Sequence, residues 1–359
     1  MIKLKVLHII DDRKEINGGP PVILNSIYNN FKKNKKLSNV KIFSFKKEIN
    51  KDFFLNFDLI HFHGIWDYRY LSIMNFAKKN CIPYVLTIHG MLDKWSLKQS
   101  FFFKRIYIYI FLKIFLRAAA ANHFNNLLEY EDSLKLCKRN FIIENGVDNY
   151  IKKISNISND GIKCLYFGRI HKKKGIELII RAIHLFIVKT RKKICLNVYG
   201  PVDEKNISYF KKLRELVDNL NLNEHVFFHK PVFNLKTKIK IFRDHDIFIL
   251  SSYQEADSVA CKESIAKGLP IIVSKNCKID KMVKDNRCGF ILDSLTSTNL
   301  YQKIKLFSKL TKKQRISLKK NCIRTAKNFL NKNIVKRYNR IYNDIYLSQM
   351  NSKDWVNKN

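Results

Sequence analysis

The 359-residue chain has few of the residues that interrupt regular structure, with only 11 glycines and 6 prolines. This scarcity excludes collagen-like chains, which need glycine at every third position, and chains dominated by flexible linkers. Acidic residues are also scarce, since 30 Asp and Glu stand against 68 Lys and Arg and leave a formal net charge of +38. Hydrophobic residues make up 46% of the chain, which excludes an intrinsically disordered protein.

The excess positive charge has no single location, because lysines occur in every segment of the chain. A basic balance is typical of proteins that bind phosphate groups of nucleic acids, anionic lipids or nucleotides. The total charge does not choose among these partners. A non-enzymatic nucleic-acid-binding protein therefore stays an alternative, although no nucleic-acid-binding motif is present and we expect no such partner.

The eight cysteines form no Cys-x-x-Cys pair and have no zinc-finger spacing. Several lie in apolar runs, such as Cys164 in KCLYFG, which predicts reduced core thiols and a cytoplasmic location. The N-terminal sequence MIKLKVLHII continues directly into a strand pattern and lacks a small-residue cleavage site, so we expect no signal peptide.

Short apolar runs alternate with helical patterns along most of the chain, and the alternation restarts after residue 160. Strands that alternate with helices predict doubly wound parallel sheets. The polar, Asn- and Ser-rich segment 152–161 predicts a linker between two such domains. We predict α/β domains at 1–150 and 151–325 and a helical tail at 326–359 that could pack back on the first domain.

The segment 251–272, SSYQEADSVACKESIAKGLPII, predicts a strand end, a polar loop and a helix. Asp257 or Ser258 is placed to cap this helix, which is predicted to end at Gly268. The N-terminus of a helix presents free N–H groups and a positive dipole end, which suit a phosphate. Glu263 on the helix could accept hydrogen bonds from ribose hydroxyls. Two solvated acids on a surface helix are the alternative.

A second phosphate-binding candidate is the basic loop that follows Gly168. Arg169 comes directly after this glycine, and Lys174 precedes Gly175, which opens a helix. A guanidinium fork and an ammonium group together can neutralise a diphosphate leaving group. Ligands of open α/β sheets bind beyond the carboxyl ends of the strands, where both candidate loops are predicted to lie.

These two motifs, GRIHKKKG and EADSVACKE followed by AKGLPII, resemble those of retaining glycosyltransferases of family 4. Other similar segments are the Gly18-Gly19 loop, IPYVLTIHGMLDKWSLKQ at 82–99, ENGVD at 144–148 and CGFIL at 288–292. The resemblance implies the GT-B fold, in which two Rossmann-like doubly wound domains face each other across a cleft.

The resemblance also implies a role for each matching residue. Arg169 and Lys174 would hold the donor diphosphate, and Glu263 would bind the donor ribose. Glu255 would face the donor sugar, which His89 in TIHG would contact from the first domain. The implied catalytic residues are Glu255, His89, Arg169 and Lys174. The implied donor-binding residues are Gly19, Gly168, Arg169, Lys174, Asp257, Ser258, Val259 and Glu263.

The chain departs from the family pattern at Ala256-Asp257-Ser258, where Gly-Phe-Gly is common after the first Glu. Those glycines bring backbone N–H groups to the sugar, so the departure bears on which sugar is bound. Glu144 also stands where proline is usual.

The resemblance implies retaining, metal-independent transfer from a nucleotide-diphosphate sugar to an acceptor hydroxyl, with no cofactor. The implied acceptor is a lipid-linked glycan in the assembly of a bacterial surface polysaccharide such as lipopolysaccharide, O-antigen or capsule. A nucleotide-sugar epimerase with the GT-B fold is the alternative enzyme, and it would need different catalytic acids.

His61 and His63 fall on one side of a predicted strand, with Asp58 and Asp67 close in sequence. No third ligand follows at a persuasive metal-binding spacing, so we predict no metal site. We interpret the two histidines as residues of the core or of an acceptor cleft. His8 and His123 carry no signal of their own.

The most apolar stretch is SFFFKRIYIYIFLKIFLRAAAAN at 100–122, within which we interpret 101–117 as a helix. Basic residues interrupt it too often for a membrane span, which needs about 20 apolar residues. Lys98, Arg105, Lys113 and Arg117 share one side of this helix, a pattern typical of helices on anionic membrane surfaces. This pattern predicts a peripheral position on the inner face of the cytoplasmic membrane. A buried helix with a basic edge explains the pattern equally well.

Overall fold

The chain forms two compact units in the computed structural model. The first comprises Met1–Asp148 and Asn331–Asn359, and the second comprises Asn149–Leu330. The described residues are 2–11, 19–45, 50–92, 106–133, 139–148, 161–255 and 257–356. The segment predicted as a linker, 152–161, lies outside them except for Gly161.

The first unit is built on a parallel sheet of six strands. They are β1 (Lys5–Ile10), β2 (Asn39–Ser44), β3 (Leu59–His63), β4 (Tyr84–Thr87), β5 (Ala121–Phe124) and β6 (Asn140–Ile142). Their order is β2-β1-β3-β4-β5-β6, so the direction of winding reverses between β1 and β3. Every residue of β3, β4 and β5 is buried, as expected of parallel strands that are covered on both faces.

Four helices of the first unit follow these strands along the chain. They are α1 (Gly19–Lys33), α2 (Arg69–Lys79), α3 (Lys113–Ala118) and α4 (Leu127–Asp132). A π-helical turn at Ile108–Leu112 leads directly into α3. None of the helices in the described part of the chain has the length and apolar character that crossing a membrane requires.

The helix predicted at 101–117 is described from residue 106 onwards and ends at Ala118, and β5 begins at Ala121. Alanine favours helix by intrinsic propensity. Ala121 nevertheless pairs with Val85 of β4, where it is fully buried. Membership of the sheet outweighs the local preference at this point. Lys98, Lys104 and Arg105 lie outside the described residues.

The second unit repeats the architecture of the first. Its strands are β7 (Ile162–Phe167), β8 (Ile194–Tyr199), β9 (Val226–His229), β10 (Ile247–Leu250), β11 (Ile271–Ser274) and β12 (Gly289–Leu292). All pair in parallel, in the order β12-β11-β10-β7-β8-β9. Its helices are α5 (Ile176–Thr190), α6 (Ile207–Asn219), α7 (Leu235–Arg243), α8 (Val259–Ala266), α9 (Asp280–Asn286), α10 (Ser297–Ser308) and α11 (Lys312–Ala326). Two Rossmann-like doubly wound sheets are thus present, as predicted.

The C-terminal helix α12 (Asn331–Val356) belongs to the first unit. Two of its buried amides hold it there through main-chain donors. The Asn339 side-chain oxygen accepts from the Ser38 N–H at 2.8 Å, and that of Asn343 accepts from the Ile2 N–H at 2.6 Å. Tyr342 on the same face of the helix is completely buried.

The seven described cysteines are free, and five of them are buried. Cys81 is exposed, which differs from the prediction of core thiols and follows from its position in the turn after α2. Cys137 lies outside the described residues.

Candidate active site

The basic loop after β7 lies against the end of β10. A Cβ atom on Gly175 would fall 2.3 Å from the Ser251 carbonyl oxygen, and Gly175 has a φ of 63°, so only glycine fits this position. The Ser251 hydroxyl donates to the Gly175 carbonyl at 2.7 Å. Since β7 and β10 are neighbours where the strand order reverses, the two predicted motifs meet at the switch point of the second sheet.

An ion pair joins the two motifs. Lys172–Lys174 form a short 3₁₀ helix whose N-cap is His171. The Lys174 ammonium lies 2.5 Å from Oε1 of Glu255, and the two side chains are 15% and 10% exposed. The Ser252 hydroxyl donates to the same oxygen at 2.6 Å. The structure therefore brings together two residues to which the resemblance assigns different parts of a donor.

The Glu255 carboxyl is held in its ionised form. Burial alone would raise its pKa, but the positive charges of Lys174 and Lys173 and the hydrogen bonds from Lys174 and Ser252 outweigh burial and lower the pKa below its usual value. The site thus contains a shielded, fixed negative charge directly beside a lysine.

Arg169 is half-buried and its main chain is fixed, because the hydroxyl of the buried Tyr166 donates to the Arg169 carbonyl at 2.7 Å. The guanidinium group has no hydrogen bond or ion pair with any residue that the structure describes. A half-buried guanidinium with five unused donors is suited to bind an anion bidentately.

The N-terminus of α8 lies at the end of the Glu255 loop. Ser258 is the N-cap residue, as predicted, but its side chain makes no capping hydrogen bond. Its hydroxyl oxygen is buried. Asp257 instead pairs with Lys262 at 2.8 Å, with side-chain exposures of 3% and 1%. Ala256 lies outside the described residues.

Glu263 projects from α8 and pairs with Lys238 of α7, whose ammonium lies 2.6 Å from Glu263 Oε1. The two side chains are about one-fifth exposed. Lys238 also lies 4.9 Å from the ring centroid of Phe167 at the end of β7. Lys238 is not predicted from the sequence, because nothing in the spacing distinguishes it from the other lysines of α7.

Two further predicted residues, Gly19 and His89, belong to the first unit, whereas Gly168 and Val259, the first residue of α8, belong to the second. Gly19 is the first residue of α1, and Gly18 lies outside the described residues. His89 follows β4 with a φ of 52°, a left-handed conformation that is uncommon for a residue with a side chain. Strain of this kind is common at functional sites.

The first sheet also carries a cluster of buried histidines. His8 of β1 stands beside His61 of β3 in the parallel register, and their ring nitrogens lie within 4.8 Å of those of His63. His8, which carries no signal of its own in the sequence, is thus a third neighbour of His61 and His63. The reason is tertiary, because His8 comes from the adjacent strand and no local spacing reveals it. The predicted absence of a metal stays a prediction.

Comparison with known families identifies the chain. The family model described as "Glycosyl transferases group 1" matches residues 147–329, and the model "Glycosyltransferase Family 4" matches residues 11–149. The chain belongs to the family 4 glycosyltransferases. The two matches meet where the first unit gives way to the second.

Two relatives of this glycosyltransferase cover different shares of its length. The O-antigen biosynthesis glycosyltransferase WclY of Escherichia coli is 25% identical over 325 residues, which are 86% of this chain and 85% of the relative. An uncharacterized glycosyltransferase of Methanocaldococcus jannaschii is 28% identical over 239 residues. That match covers 60% of this chain and 58% of the archaeal protein.

Solved structures with the same fold match the glycosyltransferase over nearly its whole length. Sucrose-phosphate synthase from Thermosynechococcus elongatus matches with a TM-score of 0.76 at 15% identity, over 96% of this chain and 99% of that one. Anabaena HepE, solved with UDP and glucose, matches with a TM-score of 0.75 at 16% identity, over 95% of this chain and all of its own. These likenesses confirm the predicted GT-B fold.

Proposed function

We propose that this glycosyltransferase moves a sugar from a nucleotide-diphosphate sugar to an acceptor hydroxyl with retention of anomeric configuration and without a metal. The observation that carries the proposal is the Lys174–Glu255 ion pair at the switch point of the second sheet, in the same loop as Arg169, whose guanidinium has no partner among the described residues. The proposal concerns the mechanism and the substrates, which go beyond family membership.

The cationic groups suit the leaving diphosphate. Negative charge develops on this group as the bond to the sugar breaks, and fixed donors aimed at it lower the barrier. Arg169 offers a bidentate fork, and Lys174 offers a point charge that Glu255 already holds in place. The N-terminus of α8 adds further donors. Such a site can neutralise a diphosphate with protein groups alone.

Glu255 suits electrostatic stabilisation better than nucleophilic attack. Lys174 and Ser252 both bind its Oε1, and their hydrogen bonds reduce the nucleophilicity of the carboxylate. Its negative charge can instead stabilise an oxocarbenium-like sugar. We propose a front-face path in which the bond from the anomeric carbon to phosphate breaks, the acceptor oxygen bonds on the same face, and its proton passes to the leaving phosphate.

The ribose is assigned to Glu263. Lys238 binds Oε1 of this carboxylate and orients it, while Oε2 is proposed to accept from the ribose hydroxyls. The side chain of Glu263 is 22% exposed, so a ligand can reach it.

The acceptor is proposed to be a lipid-linked glycan intermediate of a bacterial surface polysaccharide. The name of the E. coli relative places that protein in O-antigen biosynthesis. The surface of the π-helical turn and α3 supports contact with lipid, because it exposes Tyr109, Ile110, Phe111 and Ile114 by 74%, 56%, 48% and 57%. Arg117, exposed on α3, would face anionic headgroups at the inner side of the cytoplasmic membrane.

The proposal is tested by calorimetry and thermal shift against UDP-, GDP- and ADP-sugars, followed by NMR of the product. We expect one nucleotide class to bind, the product to keep the donor's anomeric configuration, and the rate to survive a metal chelator. Inversion of configuration or loss of rate with chelator would contradict the mechanism. Salt-sensitive retention of duplex DNA without any turnover of nucleotide sugar would favour the nucleic-acid-binding alternative.

The ribose assignment has its own variant. Glu263→Ala should weaken donor binding by about tenfold or more, because hydrogen bonds to a charged group contribute roughly 1.5–3 kcal/mol. Glu215→Ala, which removes an exposed carboxylate of α6 in the same unit, is the matched control and should leave the affinity unchanged. Equal donor affinity in Glu263→Ala and the control would remove Glu263 from the ribose site.

A further inference from the structure

Hydrogen-bonding side chains form a continuous row in the first unit, from the strands of its sheet to α12. The row contains five histidines, one threonine and one tyrosine, and all but His89 are buried. In order along the row they are His89, His63, His8, Tyr342, His61, Thr87 and His123.

The direction of hydrogen-bond donation along the row is set at its inner end, which is His123. His123 Nε2 lies 2.8 Å from the carbonyl oxygen of Ile143, and a carbonyl can only accept, so Nε2 carries a proton. Burial lowers the pKa of His123 to about 4, so the ring is neutral and its Nδ1 carries a lone pair. The hydroxyl of Thr87 lies 2.9 Å from this Nδ1 and must donate to it.

Each following contact is then determined. Thr87 has given its only proton to His123, so its oxygen accepts from His61 Nε2 at 2.6 Å. Burial also keeps the pKa of His61 well below its usual value, which leaves Nδ1 as an acceptor for the Tyr342 hydroxyl at 2.7 Å. Tyr338 lies 3.3–3.5 Å from the nitrogens of His123, farther than Thr87, and is a side contact of the row.

The contacts toward the outer end of the row, which is His89, have the same direction. The oxygen of Tyr342 accepts from His8 Nε2 at 3.3 Å, and His8 Nδ1 accepts from His63 Nε2 at 2.8 Å. His63 Nδ1 then accepts from His89 Nε2 at 3.4 Å. The Nδ1 of His89 is left with a lone pair and with no partner among the residues that the structure describes.

A metal centre explains this geometry less well. The ligand atoms of His8, His61 and His63 lie within 4.8 Å of one another, but His8 Nδ1 and His63 Nε2 are only 2.8 Å apart, the distance of a direct hydrogen bond. Both ring nitrogens of His61 are also engaged, one by Tyr342 and one by Thr87.

We infer that the row is a hydrogen-bond chain with one direction, which fixes the Nε2–H tautomer in all five imidazoles and presents the Nδ1 of His89 as an acceptor. Tyr342 of α12 is then a positioning residue for His89, although it never touches the substrate. The last step rests on the proposed function: the Nδ1 of His89 accepts a hydrogen bond from a hydroxyl of the donor sugar.

Nitrogen-15 spectra of the full-length protein, labelled at histidine and recorded near neutral pH without substrate, test the chain directly. Single histidine substitutions assign the signals. We expect His8, His61, His63, His89 and His123 to be neutral Nε2–H tautomers. An Nδ1–H tautomer or a charged ring at any of these positions would overturn the chain. The chain would also be overturned if the purified protein contained stoichiometric zinc and His8→Asn removed that zinc.

Two substitutions, each of which removes one hydroxyl group from the hydrogen-bond chain, sharpen the test. Tyr342→Phe should release His8, His63 and His89 into mixed tautomers and leave His61 and His123 fixed. Tyr338→Phe removes the same group one helical turn earlier and should change no tautomer. Unchanged signals of His63 and His89 in Tyr342→Phe would refute the positioning role.

The second substitution removes the hydroxyl group between His61 and His123. Thr87→Val should release every histidine of the chain except His123, and Thr87→Ser should restore the fixed tautomers because it restores the hydroxyl. Retention of the fixed tautomers in Thr87→Val would overturn the assigned direction.

Kinetics separate this inference from the proposed function. Tyr342→Phe should lower kcat on the order of tenfold, as for one lost hydrogen bond to the reacting sugar, with nucleotide affinity unchanged. If the expected tautomers are observed but no sugar is transferred, the hydrogen-bond chain is supported and the transferase proposal is refuted. If sugar is transferred but His89 is the Nδ1–H tautomer, the hydrogen-bond chain is refuted and the transferase proposal stands.

Discussion

Lys174 is the side chain on which the candidate site depends most. It holds Glu255 at 2.5 Å while both groups are largely shielded from water, so the pair is kept in one geometry. A diphosphate at the adjacent Arg169 would give this ammonium a second anion. One lysine would then join the negative charge near the sugar to the negative charge of the leaving group.

Lys174→Ala should reduce kcat on the order of 10²-fold, the size seen when one donor to a developing charge is lost. Lys172→Ala, at the exposed start of the same 3₁₀ helix, is the matched control and should keep the rate. Steady-state kinetics with saturating donor measures the effect, and circular dichroism checks that the variant folds. Turnover close to that of the control would exclude Lys174 from the site.

The sequence predicts individual site residues well where a motif fixes their spacing. Glu255 and Lys174 lie more than eighty positions apart in numbering, yet each is marked by its own strand-loop-helix segment. The partner of Glu263 is not marked in this way, because Lys238 is selected by how α7 packs against α8. His8 escapes prediction for a related reason, since the register of β1 against β3 brings it to His61.

The elements themselves are predicted to within a few residues where hydrophobic periodicity is strong. The helix that the sequence predicts after Gly175 is observed at Ile176–Thr190, where six apolar residues at helical spacing are buried. The short strands β5 and β6 were not predicted. They have four and three residues, too few for a periodic signal, and β5 begins inside an alanine run.

The apolar surface of the π-helical turn and α3 is the element-scale test of the membrane proposal. The double variant Ile110→Ser and Ile114→Ser should weaken binding to anionic vesicles on the order of 10–100-fold, because each isoleucine loses part of a burial free energy of roughly 1.5–3 kcal/mol. Vesicle sedimentation measures the effect. Val188→Ser, at an equally exposed apolar residue of the second unit, is the control and should bind as the wild type does.

The electrostatic part of that prediction is checked with salt and lipid composition. Binding should rise with the fraction of anionic lipid and fall as salt screens the charges. Equal binding to neutral vesicles would contradict a role for Lys113 and Arg117. Unchanged binding of the double variant would assign the lipid contact to another surface.

The whole first unit should lose stability in mild acid. Burial lowers the pKa of His8 and His89 to about 3 and that of His123 to about 4, and it also keeps the pKa of His61 and His63 well below the usual value. The unfolded chain takes up protons near pH 6.5 and the folded unit does not. Stability is therefore complete above about pH 6.5 and falls below it, by up to about 1.4 kcal/mol per pH unit for each histidine.

Tryptophan fluorescence reports this loss selectively, since Trp66 belongs to the first unit and residues 149–330, the second unit, contain no tryptophan. Urea unfolding between about pH 6.5 and 5, above the range in which carboxylates titrate, should show a falling midpoint. His8→Asn should reduce the slope, whereas His171→Asn, a half-buried histidine of the second unit, should not change it. A midpoint independent of pH over this interval would show that the buried histidines are charged or exposed.

The position of α12 has a consequence for how the protein is made. The second unit is a single stretch of chain, Asn149–Leu330, and all of it leaves the ribosome before Asn331–Asn359 does. Domains generally fold as units during synthesis. The first unit therefore lacks α12, which covers its row of histidines, until the whole of the second unit has been synthesised. The last element of the first unit to be translated follows the second unit.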